Sequence, residues 1–278
     1  MKYKELTAVY QKLEGTSKRL EKTHFISELL KITEMQDIQQ IILLIQGKIY
    51  PAWSEQETGV STRLVLKALS ISTGIPVNAI EEEWKNTGDL GLVAEKLVAV
   101  KKQSTLFTSE LTVSRIFENL KKLACTEGIG SVDRKIQLIA ELLTSASPEE
   151  ARYITRTLLE EMRLGVGEGS IRDAIVWAFF GDSFGLKYNA EDNKLEINEK
   201  QRQSYNKLVD AVQEAYDISN DFSKVAQLAK QHGLTGLKNI KLEAGRPLKV
   251  MLYQKAKNIG EAFERVGKPA AVEFKYDG

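Results

Sequence analysis

Apolar residues recur every three to four positions along most of this chain. Leu6, Val9, Tyr10 and Leu13 trace one face of a helix that ends near Gly15. Phe25, Ile26, Leu29 and Leu30 mark a second helix, and Ile38, Ile41, Ile42 and Ile45 a third before Gly47. The period then breaks from Gly47 to Gly59, where Pro51 and Trp53 predict a loop pinned to the core by its aromatic residues. Helical spacing returns over 61–72, around 78–84, and from Leu92 to Val100 after the turn Thr87–Gly91. The polar stretch from Lys101 ends in Leu106 and Phe107, which read as a hydrophobic staple ahead of a helix start at Thr108 and Ser109. Val113, Ile116, Phe117, Leu120 and Ala124 form a strong stripe that stops at Gly128-Ile129-Gly130. Ser131 stands where it would cap the next helix, whose stripe is Ile136, Ile139, Ala140 and Leu143.

Ser147-Pro148-Glu149-Glu150 combines a capping serine, proline at the first helical position and glutamate three residues after the cap. The helix it opens carries Arg152, Arg156 and Arg163, four and then seven residues apart, so the spacing predicts one shared face. It runs into Leu164-Gly165-Val166-Gly167-Glu168-Gly169, and Ser170 is placed to cap a further helix with the stripe Ile171, Ala174, Ile175 and Ala178. Two readings follow. Glycines that let another backbone approach, a helix start that favours an anion, and nearby arginines make a phosphate-binding turn. Alternatively, the turn is a tight helix–helix connection, with the arginines paired to Glu149, Glu160 and Glu161 on the surface. A dinucleotide-binding fold is excluded because helices, not a strand, precede these glycines.

Beyond Gly181 the chain is polar to Gln203, with an exposed loop expected at Asn189–Asn193. Helices are expected over Val209–Tyr216 and Phe222–Leu228, the second capped by Asn220 or Asp221 and ended by Gly233. Lys224, Lys230 and Lys238 read as a solvated face that is able to meet phosphate. The character changes near Gly245, and a last helix over Asn258–Val266 leads into a closing strand.

Composition narrows the class. Hydrophobic residues make up 42% and charged residues 28% of the 278 positions, as in a globular protein. With 39 basic and 38 acidic residues, any nucleic-acid footprint must be local rather than global. The single cysteine, Cys125, rules out an internal disulfide framework and reads as a small buried apolar residue. His24 and His232 have no ligand partners nearby in sequence, so no metal site is predicted on them. Absence of a membrane-spanning run or signal peptide makes a cytoplasmic monomer the expectation.

The last six residues, Glu273-Phe274-Lys275-Tyr276-Asp277-Gly278, alternate in character. Phe274 and Tyr276 fall on one face of an extended segment, with Glu273, Lys275 and Asp277 on the other. Read from residues alone this is an edge strand with a polar face, or a nucleophilic lysine between two carboxylates. K-x-D-G after E-x resembles the adenylation motif of the nucleotidyltransferase superfamily. The rest of the chain is similar to ATP-dependent DNA ligases of the archaeal type. The resemblance implies a mainly α protein: a multi-helix DNA-binding domain over 1–245, then the truncated start of an α/β nucleotidyltransferase domain over 246–278. Gly245-Arg246-Pro247-Leu248-Lys249-Val250-Met251-Leu252 resembles the segment between the two, with Val250 where proline is common. Lys275 would attack the α-phosphate of ATP to form lysyl-AMP, Glu273 would recognise adenine, and Asp277 would support sealing of a nick with Mg2+. Nicked duplex DNA would lie against Arg152, Arg156, Arg163, Gly165, Gly167, Gly169, Ser170 and Arg172. Gln103, Leu106 and Phe107 resemble a shortened sliding-clamp motif, with Thr108 in place of its second aromatic residue. The region over 181–203 reads as an insertion relative to such ligases. The competing classes are a non-catalytic DNA-binding or clamp-docking helical module, and a helical protein scaffold with no nucleic-acid role.

Overall fold

A computed structural model of the chain describes residues 1–100, 110–249 and 255–274. Expectations that fall on Gln103, Leu106, Phe107, Thr108, Ser109, Val250–Leu252 and Lys275–Gly278 lie outside the described residues. The described chain divides into a large unit, Met1–Leu248, and a small one, Lys249–Gly278, so the division follows Leu248 where the sequence placed it near Gly245.

The large unit begins with three helices, α1 (Tyr3–Glu14), α2 (Arg19–Ile32) and α3 (Ile38–Ile45). A long irregular loop leads to α4 (Thr62–Thr73), α5 (Val77–Thr87) and α6 (Leu90–Ala99). Then come α7 (Val113–Ala124), α8 (Ser131–Ser145), α9 (Pro148–Leu158) and α10 (Glu168–Phe180). A short 3-10 turn, Gly181–Phe184, precedes a hairpin of β1 (Lys187–Asn189) and β2 (Lys194–Glu196), and α11 (Glu199–Ser219) and α12 (Phe222–Lys238) follow. One continuous core joins these elements, with Tyr3, Tyr10, Tyr153 and Phe222 among its largest fully buried side chains. The most intimate helix pairs are α6 with α9, α10 with α2, and α4 with α8.

Local chemistry explains several boundaries. At α9 the Ser147 hydroxyl accepts the Glu150 N–H at 3.3 Å while the Glu150 carboxylate accepts the Ser147 N–H at 2.9 Å, completing the expected box. Asp89 caps α6 through the Gly91 N–H at 2.8 Å. Lys230 directs its ammonium at the carbonyls of Leu30 and Thr33, so it closes the carboxyl end of α2 instead of standing on a solvated face. Trp53 anchors its loop under the Arg246 guanidinium, 4.7 Å from the ring centroid.

Other expectations are corrected. Ser131 and Ser170 do not cap their helices: Gly130 precedes α8 with φ +76°, and α10 starts two residues before Ser170, with Gly167 as its cap. Thr112, through the Arg115 N–H, caps α7. The Asn189–Asn193 stretch is exposed over 190–192, as expected, and forms the turn of the β1–β2 hairpin, with Tyr188 opposite Leu195. Gly233 (φ +56°, ψ −143°) leaves helical geometry, so the helix that opens at Phe222 ends there as expected, and a second helix within α12 runs on to Lys238. Cys125 is exposed, because it lies one residue past the end of α7 and off its buried stripe.

The small unit contains α13 (Ile259–Val266), capped by Asn258 through the Glu261 N–H at 2.9 Å. Residues 270–274 form no strand, and Val272 and Phe274 are exposed, since no described residues pair with them.

Gly91 sits where α6 meets α9. A Cβ there would lie 2.7 Å from Arg156 Cγ and 2.9 Å from the Arg152 carbonyl oxygen. Gly91→Ala should therefore lower stability by about 1–3 kcal/mol by overpacking, despite the gain in helix propensity. Chemical denaturation would show it, and a stabilised variant would overturn the close-approach account.

Candidate nucleic-acid interface

Helix α9 stops at Leu158, so Arg163 is not on the face shared by Arg152 and Arg156. The stop is a Schellman turn: Glu161 N–H bonds to the Arg156 carbonyl and Glu160 N–H to the Thr157 carbonyl, with Glu160 left-handed at φ +55°. A glutamate occupies the position where glycine usually signals such an end. Arg163 is left-handed as well, at φ +56°, which costs a non-glycine residue about 1–2 kcal/mol.

The shared face of Arg152 and Arg156 points inward. Arg156 is 2% exposed and donates to Asp89 Oδ2 at 2.6 Å and Glu14 Oε2 at 3.0 Å. Arg152 donates to Glu14 Oε1 at 2.6 Å and Glu95 Oε2 at 3.3 Å, and the Tyr153 hydroxyl donates to Glu14 at 3.0 Å. These partners come from α1, the cap of α6 and α6 itself, so both arginines join helices. Burial opposes charge at Arg156, but hydrogen bonds to Asp89 and Glu14 outweigh it and raise its pKa. Burial likewise works against the Asp89 and Glu14 carboxylates, yet Arg156 holds both below the ordinary range. Of the predicted partners, Glu149 and Glu160 hold neither arginine in these ion pairs, whereas Glu161 pairs with Arg163 on the surface as expected. A DNA contact through Arg156 is incompatible with its burial. Arg163 is half-exposed and donates to the Gly88 carbonyl at 3.1 Å.

The glycine-rich turn lies elsewhere on the surface, against the start of α2. Gly165, Gly167, Gly169 and Ser170 line a depression of about 500 Å³ together with Ser17, Arg19, Lys22 and Arg172. Lys22 donates to the carbonyls of Leu164 and Gly165. Gly165 has φ +60°, and a Cβ on it would lie 2.7 Å from the Lys22 ammonium nitrogen. A Cβ on Gly169 would stand 3.1 Å from the Arg19 guanidinium, whereas Gly167 faces open space. Asp173 accepts from Arg19 at 2.6 Å and from Arg172 at 2.8 Å, which fixes both guanidinium groups beside the turn. Arg172 also donates to Gln213 of α11 at 3.3 Å. The positive end of α10 points at the same place. Two guanidinium groups beside exposed glycine backbone, with the buried Lys22 ammonium behind it, make a surface suited to an anion larger than a single carboxylate. The sequence reading missed Arg19 and Lys22. The run Lys18-Arg19 was visible, but only the packing of α2 on α10 brings it to the turn.

Fold and surface together define a mainly helical module with a cationic, glycine-lined face. The chain belongs to the family described as DNA ligase N terminus, whose sequence profile matches residues 2–176. It is 41% identical over 276 residues to a DNA ligase of Methanothermobacter thermautotrophicus, covering 99% of this chain and 45% of that protein. It is 40% identical over 279 aligned positions to a DNA ligase of Nanoarchaeum equitans (all of this chain, 44% of that one). A DNA ligase of Thermococcus fumicolans is 39% identical over 278 residues, with 45% of its length covered. The chain thus spans less than half the length of these relatives and corresponds to their N-terminal portion.

The ion-pair geometry predicts contrasting variants. Arg156→Ala leaves Asp89 and Glu14 without their main partner and should cost about 3–5 kcal/mol, while Arg163→Ala, on the surface, should cost within about 1 kcal/mol. Because Asp89 and Glu14 have depressed folded-state pKa values, their stabilisation is complete above the ordinary carboxylate range, near pH 4, and is lost as pH falls below it. Melting curves from pH 6 to pH 2 (roughly spanning that range) should show this acid loss, and Arg156→Met should flatten it. An equally steep loss in Arg156→Met would remove the network as its cause.

Proposed function

We propose that this chain is the DNA-holding part of an ATP-dependent DNA ligase that seals nicks in duplex DNA. One observation carries the reading: the exposed glycines Gly165 and Gly167 open onto solvent between Arg19 and Arg172 at the start of α10, with the buried Lys22 ammonium beneath them. Phosphates of a duplex match that arrangement, since guanidinium groups and a helix N-terminus supply donors while glycines let the sugar–phosphate chain approach. Arg163, held by Glu161 and the Gly88 carbonyl, does not line this depression. Arg152, at 15% side-chain exposure, supports α9 from behind instead of meeting DNA. Contacts of this kind do not read base sequence, so the grip is on the backbone and minor groove.

In this proposal the helical domain covers residues 1–245 and a nucleotidyltransferase domain begins at 246, with Lys275 as the adenylated residue and Glu273 and Asp277 beside it. Glu273 is exposed in irregular chain. Among the described residues, no three His, Cys, Asp or Glu side chains come together as metal ligands. ATP and Mg2+ therefore rest on the resemblance of the Glu273–Gly278 stretch. A separate resemblance, of Gln103, Leu106 and Phe107 to a shortened sliding-clamp motif, supports a clamp contact there, and the reading keeps a monomer acting in the cytoplasm.

Affinity for nicked duplex, intact duplex and single-stranded DNA across a salt series tests the reading. Duplex binding should weaken steeply with salt. Arg19→Ala and Arg172→Ala should each weaken it on all sequences alike and reduce the salt slope by about 1. No duplex binding at low salt, or unchanged slopes in both variants, would sink the proposal.

A further inference from the structure

Helix α1 sends Tyr3, Leu6, Tyr10 and Leu13 into the core, and α2 buries Ile26, Leu29 and Leu30. Three apolar residues of the same helices are surplus to that packing. Val9 and Phe25 are only partly buried, and Ile32 is 75% exposed. They line a groove of about 660 Å³ between α1 and α2, with Leu29 at its floor. Its rim is acidic, carrying Glu5, Glu28 and Glu34. Two cations also line it: Lys12, its ammonium 5.8 Å from the centre of the Phe25 ring, and the Met1 amino group, which is mostly buried and paired with Asp37 at 2.8 Å, so the exposed charge of the rim is mainly acidic. His24 adds no charge at neutral pH, because burial holds the imidazole below its ordinary range where it stacks on Tyr188 at 4.9 Å.

We propose that this groove docks a helical segment of a protein partner that is apolar on one face and basic on its flanks. A helix lying in such a groove inserts about three side chains spaced i, i+3 or i+4, and i+7, and Val9, Phe25, Leu29 and Ile32 offer a continuous apolar floor for them. Charge selects the occupant. All three rim carboxylates already make one contact, Glu5 with the Lys2 N–H at 3.1 Å, Glu28 with Lys31 at 2.8 Å and Glu34 with the Gln36 amide at 2.8 Å, yet all three remain exposed to an incoming cation. The same carboxylates repel nucleic-acid phosphates and anionic lipid headgroups. Position keeps the groove separate from the cationic turn. Arg19 and Ile32 are the first and last residues of α2, about 20 Å apart along its axis, so a partner at one end leaves the other open. The inference stands independently of the DNA reading.

The probe is an amphipathic peptide of about 15 residues with leucines spaced three and four apart and lysines elsewhere, read by fluorescence anisotropy against its glutamate counterpart. The lysine peptide should bind at least roughly tenfold more tightly than the glutamate one. Ile32→Asp should weaken it by a similar factor. Glu28→Lys combined with Glu34→Lys, on exposed positions that leave the core intact, should weaken the lysine peptide and favour the glutamate one. Duplex affinity should match wild type in both variants, which separates this test from that of the DNA surface. Unchanged lysine-peptide affinity in the charge-swapped variant overturns the proposal even if Ile32→Asp fails to fold. Self-association of the wild-type chain that Ile32→Asp abolishes would also overturn it, by assigning the groove to a second copy.

Discussion

Everything around the glycine-rich turn depends on one desolvated cation. The Arg156 guanidinium has Asp89 and Glu14 as anionic partners, and its remaining reach extends to the Met162 carbonyl at 3.5 Å. Those three acceptors belong to the cap of α6, to α1, and to the segment that leaves α9. Satisfying one buried arginine thus fixes the relative placement of three pieces of chain, which a purely apolar contact would leave free to slide. An apolar replacement of similar volume can match its free energy, because desolvating an ion pair offsets much of its attraction. It would not specify where Met162 goes. Met162 in turn fills the space beside Gly47, where a Cβ would sit 2.6 Å from its Cγ. From there the chain runs two residues to Leu164, whose carbonyl Lys22 holds.

The cationic face is ordered before any ligand arrives. Asp173 holds Arg19 from α2 and Arg172 from α10 at once. Side-chain entropy lost on immobilising a long arginine is of order 1–2 kcal/mol, and here it is lost on folding. The carboxylate also cancels part of the positive field. Orientation is gained at the expense of charge, and contacts made this way favour a fixed geometry of phosphates over loose polyanion attraction. Near-equal numbers of acidic and basic residues agree with that: the chain carries no global basic field.

How much of this was legible in the sequence follows from the range of the interactions. The α9 start was readable because all three of its signals lie within Ser147–Glu150. Helical stripes were readable because each reports a single element's buried face, and the fold class followed from them together with the family resemblance. The arginine face misled because spacing shows which residues share a side of a helix but not which side is buried. Its partners, Glu14, Glu95 and Asp89, are distant in sequence. The end of α9 was hidden by a glutamate in the left-handed position, and the caps at Gly130 and Gly167 by serines that looked better suited. Arg19 and Lys22 were hidden for the opposite reason: nothing local distinguishes them from the other surface cations, and only α2 on α10 makes them part of a site.

Helix α2 concentrates these themes in fourteen residues. Its amino end is basic and meets the glycine turn, its centre is buried against α10, and its carboxyl end is closed by Lys230 beside an acidic apolar groove. The helix dipole adds partial positive charge at the amino end, where Arg19 outreaches Glu21, while at the carboxyl end Lys31 and Lys230 offset its partial negative charge. A duplex drawn to the proposed DNA surface would meet attraction at the first turn and repulsion at the last. For a chain with so little net charge, orientation on the proposed DNA surface would have to come from such local differences, because overall charge cannot supply it.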